Sequence, residues 1–245
     1  MKYVVMLMLL LNCGMVYAGD MTGEDILKKV DNNYIARNHR AETTMIITGR
    51  RITRTIKARS WIQGVDKSFS EYLSPAREKG TKMLKLGDEL WIYSPSADRI
   101  IRIAGHMLRQ SMMGSDLSYE DSMEDPILSN TYDVELIGLE DIDGRSCYVL
   151  ELTARRSEAA YHLRKMWVDK ERYLPLKENR YAKSGKLLKT FVIKETFKIE
   201  DRWYPKKMVF KDVLSKSSGT ELIIDSIAFN VDIPGHIFSK AALRR

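Results

Sequence analysis

After Arg40 the chain takes up a period of two and keeps it, with one interruption, as far as residue 230. The clearest run is Arg51 to Arg59. Ile52, Ile56 and Ala58 share one face; Arg51, Thr53, Thr55, Lys57 and Arg59 share the other. Such alternation marks a strand with one wet side. Comparable runs occupy 41–48, 66–73, 81–86, 89–94, 99–104, 132–139, 146–154, 163–169, 174–181, 187–197, 203–214 and 220–230. Turn residues punctuate them: Gly64, Ser74-Pro75, Gly87-Asp88, Ser94-Pro95, Asp143-Gly144, Ser184-Gly185 and Ser217-Ser218-Gly219. Leu86-Gly87-Asp88-Glu89-Leu90 and Ile142-Asp143-Gly144-Arg145 read as hairpin turns. So many consecutive strands on short turns imply one antiparallel sheet, and a sheet that wide must curl or split. Few helical patterns are present to cover it. The expected architecture is therefore mainly β, a barrel or half-barrel with a little helix.

One helix precedes the strands. Thr22 followed by Asp25 forms a box-like start, and Ile26, Leu27, Val30 and Tyr34 then fall on one stripe. This reads as a helix packed on the core. The interruption lies at residues 105–128. It lacks a period of two and holds Met107, Met112, Met113 and Met123, four of the nine methionines that follow residue 18. Ser118 and Asp121 can cap a short helix that stops before Pro126. Methionines are flexible and polarizable, and suit surfaces that fit varied apolar shapes. The segment is either an adaptable lid over an apolar cavity or plain filling for a core.

Residues 1–18 read as an export signal: Lys2 gives a positive start, Tyr3 to Leu11 is apolar, and Val16-Tyr17-Ala18 is a cleavage motif. The apolar run is shorter than the ~20 residues that span a bilayer. The expectation is cleavage after Ala18, leaving residues 19–245 as one exported domain. The alternative is a lipid anchor on Cys13, for which Asn12 is a poor neighbour. With the signal removed Cys147 is the one cysteine left, and its strand-like setting reads as a small buried hydrophobe. The formal net charge is +7, and +6 without the signal. This mild basicity suits acidic partners, phospholipid head groups among them. Export and the lack of an aromatic-basic stacking face argue against nucleic acid.

The signals of catalysis are missing. Two cysteines exclude a four-thiolate zinc site, and His39, His106, His162 and His236 are too scattered for a metal motif. No Gly-x-Ser-x-Gly elbow, phosphate loop or dinucleotide fingerprint occurs. Asp116, Glu120 and Asp121 form an acidic cluster, which reads more simply as helix-start acids than as an acid–base pair or a metal site. No cofactor, metal or catalytic residue is expected.

Several segments bring a family into view. Ser70-Glu71-Tyr72-Leu73-Ser74-Pro75, followed by Lys79 to Pro95 with its Leu90-Trp91-Ile92-Tyr93-Ser94-Pro95 ending, resembles the outer-membrane lipoprotein carriers of Gram-negative bacteria, the LolA-like proteins. Arg99-Ile100-Ile101-Arg102 and Gly114-Ser115-Asp116-Leu117-Ser118-Tyr119-Glu120-Asp121 are similar to a divergent branch of lipoprotein-sorting proteins, as is Ile227 to Phe238. That branch is often linked to inner-membrane transporters of the resistance-nodulation-division type. The resemblance implies a half-closed antiparallel β-barrel with a few helices in its concave side. It also implies an apolar pocket for acyl chains, no catalysis, and lipoprotein or lipid as partner, with transient contact at the membrane surface. Under that reading Ile52, Ile56, Leu84, Leu86, Leu90 and Ile92 are candidate walls of the pocket, though core is an equal reading for them. Met107, Leu108, Met112, Met113 and Leu117 are the candidate lid. Trp91 and Tyr93 fall on the opposite side of their strand, exposed or beneath a loop. The charges of residues 155–166, where a carrier wall is expected, leave the cargo open between a lipoprotein and a free lipid. A periplasmic sensor or transporter accessory acting by protein contact is the rival reading.

Overall fold

The computed structural model describes residues 21–34 and 37–244, with the side chain of Tyr34 outside that range. The expected signal, its cleavage after Ala18 and the Cys13 anchor all lie outside the described residues. Helix α1 (Gly23–Tyr34) begins where the capping pattern places it. The Asp25 amide donates to Thr22 Oγ1 at 3.2 Å, and the Thr22 amide donates back to Asp25 Oδ2 at 3.1 Å. Ile26, Leu27 and Val30 are buried along one stripe.

Thirteen strands follow. They are β1 (Asn38–Thr48), β2 (Thr53–Gln63), β3 (Lys67–Ser74), β4 (Lys82–Leu86), β5 (Glu89–Ser94) and β6 (Arg99–Ile103), then β7 (Tyr132–Ile142), β8 (Arg145–Ala154), β9 (Leu163–Asp169), β10 (Pro175–Tyr181), β11 (Leu187–Ile199), β12 (Arg202–Asp212) and β13 (Gly219–Phe229). All lie in one sheet in the order β6-β5-β4-β3-β2-β1-β13-β12-β11-β10-β9-β8-β7, with every pairing antiparallel. The chain therefore starts in the middle of the sheet, winds to the β6 edge, crosses to the β7 edge and returns to β1. The two edges do not pair, so the sheet stays open as a half-closed barrel. At the β7–β8 turn Asp143 and Gly144 both take positive φ, at 50° and 78°, as a two-residue hairpin requires.

The crossover, residues 104–131, runs from one edge to the other across the concave face. It is built of short 3-10 turns and helix α2 (Tyr119–Met123). Ser118 and Asp121 close the expected capping box on α2. On the same face, α1 packs its stripe on Tyr132, Leu150, Leu152, Met166 and Val168 of β7–β9. Both oxygens of the buried Asp31 carboxylate accept backbone N–H groups at the end of the crossover, from Leu128 at 2.9 Å and Ser129 at 3.1 Å. The opposite, convex face carries a second layer. There Ile233, Phe238 and Leu243 cover Phe69, Leu84 and Trp91. Among the described residues no helix is long and apolar enough to cross a membrane.

Candidate functional site

The register of β4 and β5 sorts their side chains between the faces. Met83 pairs with Ile92 and Lys85 with Leu90, so these four point to the concave side; Leu84 pairs with Trp91 and Leu86 with Glu89 on the convex side. The expected wall therefore divides. Ile56, Leu90 and Ile92 lie on the concave face. Leu84 and Leu86 lie on the convex face with Trp91 and Tyr93, beneath the C-terminal segment, with Lys240 Nζ 4.0 Å from the Trp91 ring centroid. Ile52 belongs to neither. It sits in the β1–β2 turn, 70% exposed, and its carbonyl accepts from the Gly49 amide.

The crossover brings all five expected lid residues to the concave face. Met107, Leu108 and Met112 pack on Met83, Leu90, Ile92 and Ile103, joined by Tyr119 and Met123. Met113 and Leu117 pack on Met45, Ile47, Ile56 and Tyr72. The lid residues are half-buried. Complete burial of a side chain this size contributes ~1.5–3 kcal/mol, so each half-buried one is worth about 1 kcal/mol.

Polar contacts from both halves of the sheet hold the crossover down. Arg54 of β2 donates to the Met113 carbonyl at 2.7 Å. Lys85 of β4 donates to the Met123 carbonyl at 3.2 Å, and burial lowers its pKa. Asp116 is buried and accepts from Thr220 Oγ1 at 2.8 Å, Ser217 Oγ at 2.6 Å and the Asp212 amide at 2.9 Å. It thus anchors the crossover to the β12–β13 turn, a role that the helix-start reading did not contain. Asp121 serves its helix cap and also meets Lys189, Arg180 Nη1 at 3.1 Å and the Tyr161 hydroxyl at 2.5 Å. Burial alone would raise the Asp121 carboxyl, but the charges of Arg180 and Lys189 and the donated hydrogen bonds outweigh it and bring it down to about 2. Burial and the Asp121 charge push the Tyr161 phenol well up, so it remains a donor.

These groups belong to a larger ionic cluster on the concave face of β9–β11. Arg164 is 2% exposed and is paired with Glu124 and with Glu178 at 2.8 Å; Arg180 also bonds Glu178, at 2.9 Å. Arg164, Arg180 and Lys189 face Asp121, Glu124 and Glu178, so the cluster is neutral. Arg164, one of the charges that sat awkwardly with a carrier wall, is in this way compensated within the wall. The sequence reading missed the cluster, because its partners meet only through the strand register.

Two adjoining cavities open between the crossover and the β8–β9 loop. The smaller, of about 290 Å³, reaches Leu108, Met123, Leu128 and Tyr132. The larger, of about 840 Å³, lies toward Arg109, Tyr161, Lys183 and Lys189. Glu120 and Glu158 line both, and burial raises the Glu120 carboxyl. On the β4–β6 side the crossover packs directly against the sheet. Cys147 is buried on the convex side with Val149, Trp167 and Leu176, and burial pushes its thiol up to about 11. Among the described residues no group of three or more His, Cys, Asp or Glu side chains is arranged to hold a metal ion.

Comparison with known proteins accords with this geometry. A DUF1329 family protein from Desulfovibrio piger is 27% identical, with a TM-score of 0.83 over 90% of this chain and 97% of its own. A LolA superfamily protein from Nitrosomonas europaea is 25% identical, with a TM-score of 0.76 over 91% of this chain and 99% of its own. A domain named for outer membrane lipoprotein sorting, from Vibrio parahaemolyticus, shares the fold at 24% identity, with a TM-score of 0.81 over 91% and 98%. No curated protein matches the chain. A family model described as "uncharacterized protein" matches residues 64–245. The chain belongs to that family, and by its fold it is a divergent LolA-like protein.

Proposed function

We propose that the protein is a periplasmic carrier that binds the acyl chains of a lipoprotein or free lipid beneath its crossover and moves them toward the outer membrane or a membrane transporter. Residues 1–18 act as the export signal, and residues 19–245 form the carrier domain, which works without catalysis. The observation that carries this reading is the methionine-rich crossover lying on the apolar concave face, with Met107, Met112 and Met113 against Leu90, Ile92 and Ile56. An acyl chain in water costs ~0.8 kcal/mol per methylene. When the crossover lifts, a chain takes the place of its methionines, so one apolar contact replaces another. The exchange is close to balanced and reversible, as a carrier that must also release requires. The Arg54, Lys85, Asp116 and Asp121 contacts set the bias toward closure.

A second reading, an accessory or sensor acting by protein contact, draws on the exposed β7 edge, where Ile137 is 46% and Leu139 58% exposed. An inner-membrane transporter of the resistance-nodulation-division type is the partner that either reading proposes. Native mass spectrometry of the mature protein from a bacterial periplasm, followed by lipid extraction, separates the two. A co-purified mass that releases phospholipid or acylated peptide is expected. A clean apo mass with no uptake from vesicles would overturn the carrier reading in favour of the second.

A further inference from the structure

The two cavities beside the crossover are lined by opposite charges. The smaller carries Asp88, Glu120, Glu124, Asp125 and Glu158, against one cation, Arg164. The larger carries Arg109, Arg155, Arg156, Lys183 and Lys189. Its carboxylates are Glu120 and Glu158, which it shares with the smaller cavity, and Asp212.

Some of these charges are already matched. Glu124 pairs with Arg164, Arg155 with Asp133 at 2.8 Å, and Lys189 with Asp121. What remains is bipolar. Arg109, Arg156 and Lys183 make no ion pair among the described residues, and they come from three separate elements: the crossover, the β8–β9 loop and the β10–β11 turn. Asp88 and Asp125 stand on the other side, where Asp125 accepts from the Ile127 amide and Asn130 Nδ2, both at 2.9 Å, and both carboxylates feel the charge of Lys85; Glu120, which feels Arg109, and Glu158 lie at the boundary. A simple anion would meet the carboxylates, and a simple cation would meet the basic groups. A ligand with both charges a few ångströms apart satisfies both walls.

One buried donor beside the smaller cavity is unpartnered. Arg164 lines the smaller cavity, is 2% exposed, and its Nε has no hydrogen-bond partner. The same cavity reaches the apolar side chains Leu108 and Met123 of the crossover.

We propose that these adjoining cavities bind the zwitterionic headgroup of a phospholipid, with its phosphate toward Arg109, Arg156 and Lys183 and its ammonium toward Asp88, Asp125, Glu120 and Glu158. This rests on the carrier reading and sharpens it: the cargo is a free aminophospholipid rather than an acylated protein. The acyl chains run past Leu108 and Met123 of the crossover to the concave face.

The test is titration calorimetry on the mature chain with three soluble probes: dihexanoyl phosphatidylethanolamine, dihexanoyl phosphatidylglycerol and uncharged dihexanoylglycerol. The zwitterion is expected to bind at least tenfold more tightly than either of the others. Combined Arg109→Gln, Arg156→Gln and Lys183→Gln should bring its affinity down to that of dihexanoylglycerol. Combined Asp88→Asn and Glu158→Gln should instead reverse the preference toward phosphatidylglycerol. Circular dichroism and thermal melting verify that each variant folds. Equal binding of all three probes would overturn the headgroup site and leave the carrier reading standing. Binding of none would overturn both. Phosphoethanolamine binding as tightly as the lipid would show a site for a soluble phosphate ester and overturn the lipid assignment.

Discussion

Replacing Asp121 by Asn removes the charge that ties α2 to β10 and β11 while keeping its shape. Asparagine still accepts from the Ser118 amide through its carbonyl oxygen, so the helix cap survives, while its NH2 replaces the oxygen that accepts from the Tyr161 hydroxyl and Arg180. The electrostatic contribution follows from the carboxyl's displacement from 3.8 to about 2, which corresponds to about 2 kcal/mol of stability. Removing one partner of a buried pair costs roughly 3–5 kcal/mol when the other charge is stranded. Here Arg180 keeps Glu178 and Lys189 keeps Ser118 Oγ at 3.2 Å, so the cost lies toward the lower end. We expect a loss of about 2–4 kcal/mol in urea unfolding at pH 7. Hydrogen exchange should rise across 105–125 before it rises in β4 and β5, and lipid uptake should quicken. The pH dependence supplies a check on sign. A carboxyl held below its ordinary value stabilises above that value, and this contribution fades as pH falls through about 2. The stability gap between wild type and variant should thus be constant above about pH 5 and close progressively toward pH 2. A loss under about 0.5 kcal/mol, or a gap that widens in acid, would refute the reasoning.

Other perturbations probe the same architecture. An alanine Cβ at Gly114 would come within 2.6 Å of Arg54 Nη2 at a φ of +71°, so Gly114→Ala should break the Arg54–Met113 contact and raise exchange in the crossover, as Arg54→Met should without the backbone strain. Ile56 is 1% exposed in the cluster beneath Met113, and Ile56→Ala should cost about 2–5 kcal/mol in chemical denaturation. Burial, aided by the Arg202 charge, brings His39 down to about 4 from 6.5, so the unfolded chain takes up the proton first. Stability should fall by up to about 3 kcal/mol as pH drops from about 6.5 to about 4, and His39→Asn should flatten that slope in denaturation curves.

The strands were legible because most of them keep one wet face, and all thirteen expected runs became strands. The face of β4 was not. Lys82, Met83, Leu84 and Lys85 are all buried, because the crossover covers one side of this region and the C-terminal segment the other. Alternation vanishes where both faces are covered, and it is the register across the two-residue Gly87-Asp88 turn, pairing Leu84 with Trp91 and Leu86 with Glu89, that turns these two leucines away from Leu90. Ile52 continues the alternation of β2 in the sequence, but its β-branched side chain lies in an exposed turn just before the strand. The crossover announced itself by its methionines and by the Ser118–Asp121 spacing. Its anchors did not, since Asp116 meets Thr220 across 104 residues of chain and Arg164 finds Glu178 only through the β9–β10 register.

The central claim is that acyl chains lie between the crossover and the concave face. The most direct measurement incubates the mature chain with vesicles holding a phospholipid whose acyl chain bears a photoactivatable diazirine, then maps the adducts by peptide mass spectrometry. The account predicts adducts on Ile56, Leu90 and Ile92 and along Met107 to Leu117. Adducts confined to the convex layer around Leu84, Trp91 and Phe238, or no transfer from the vesicles, would contradict it.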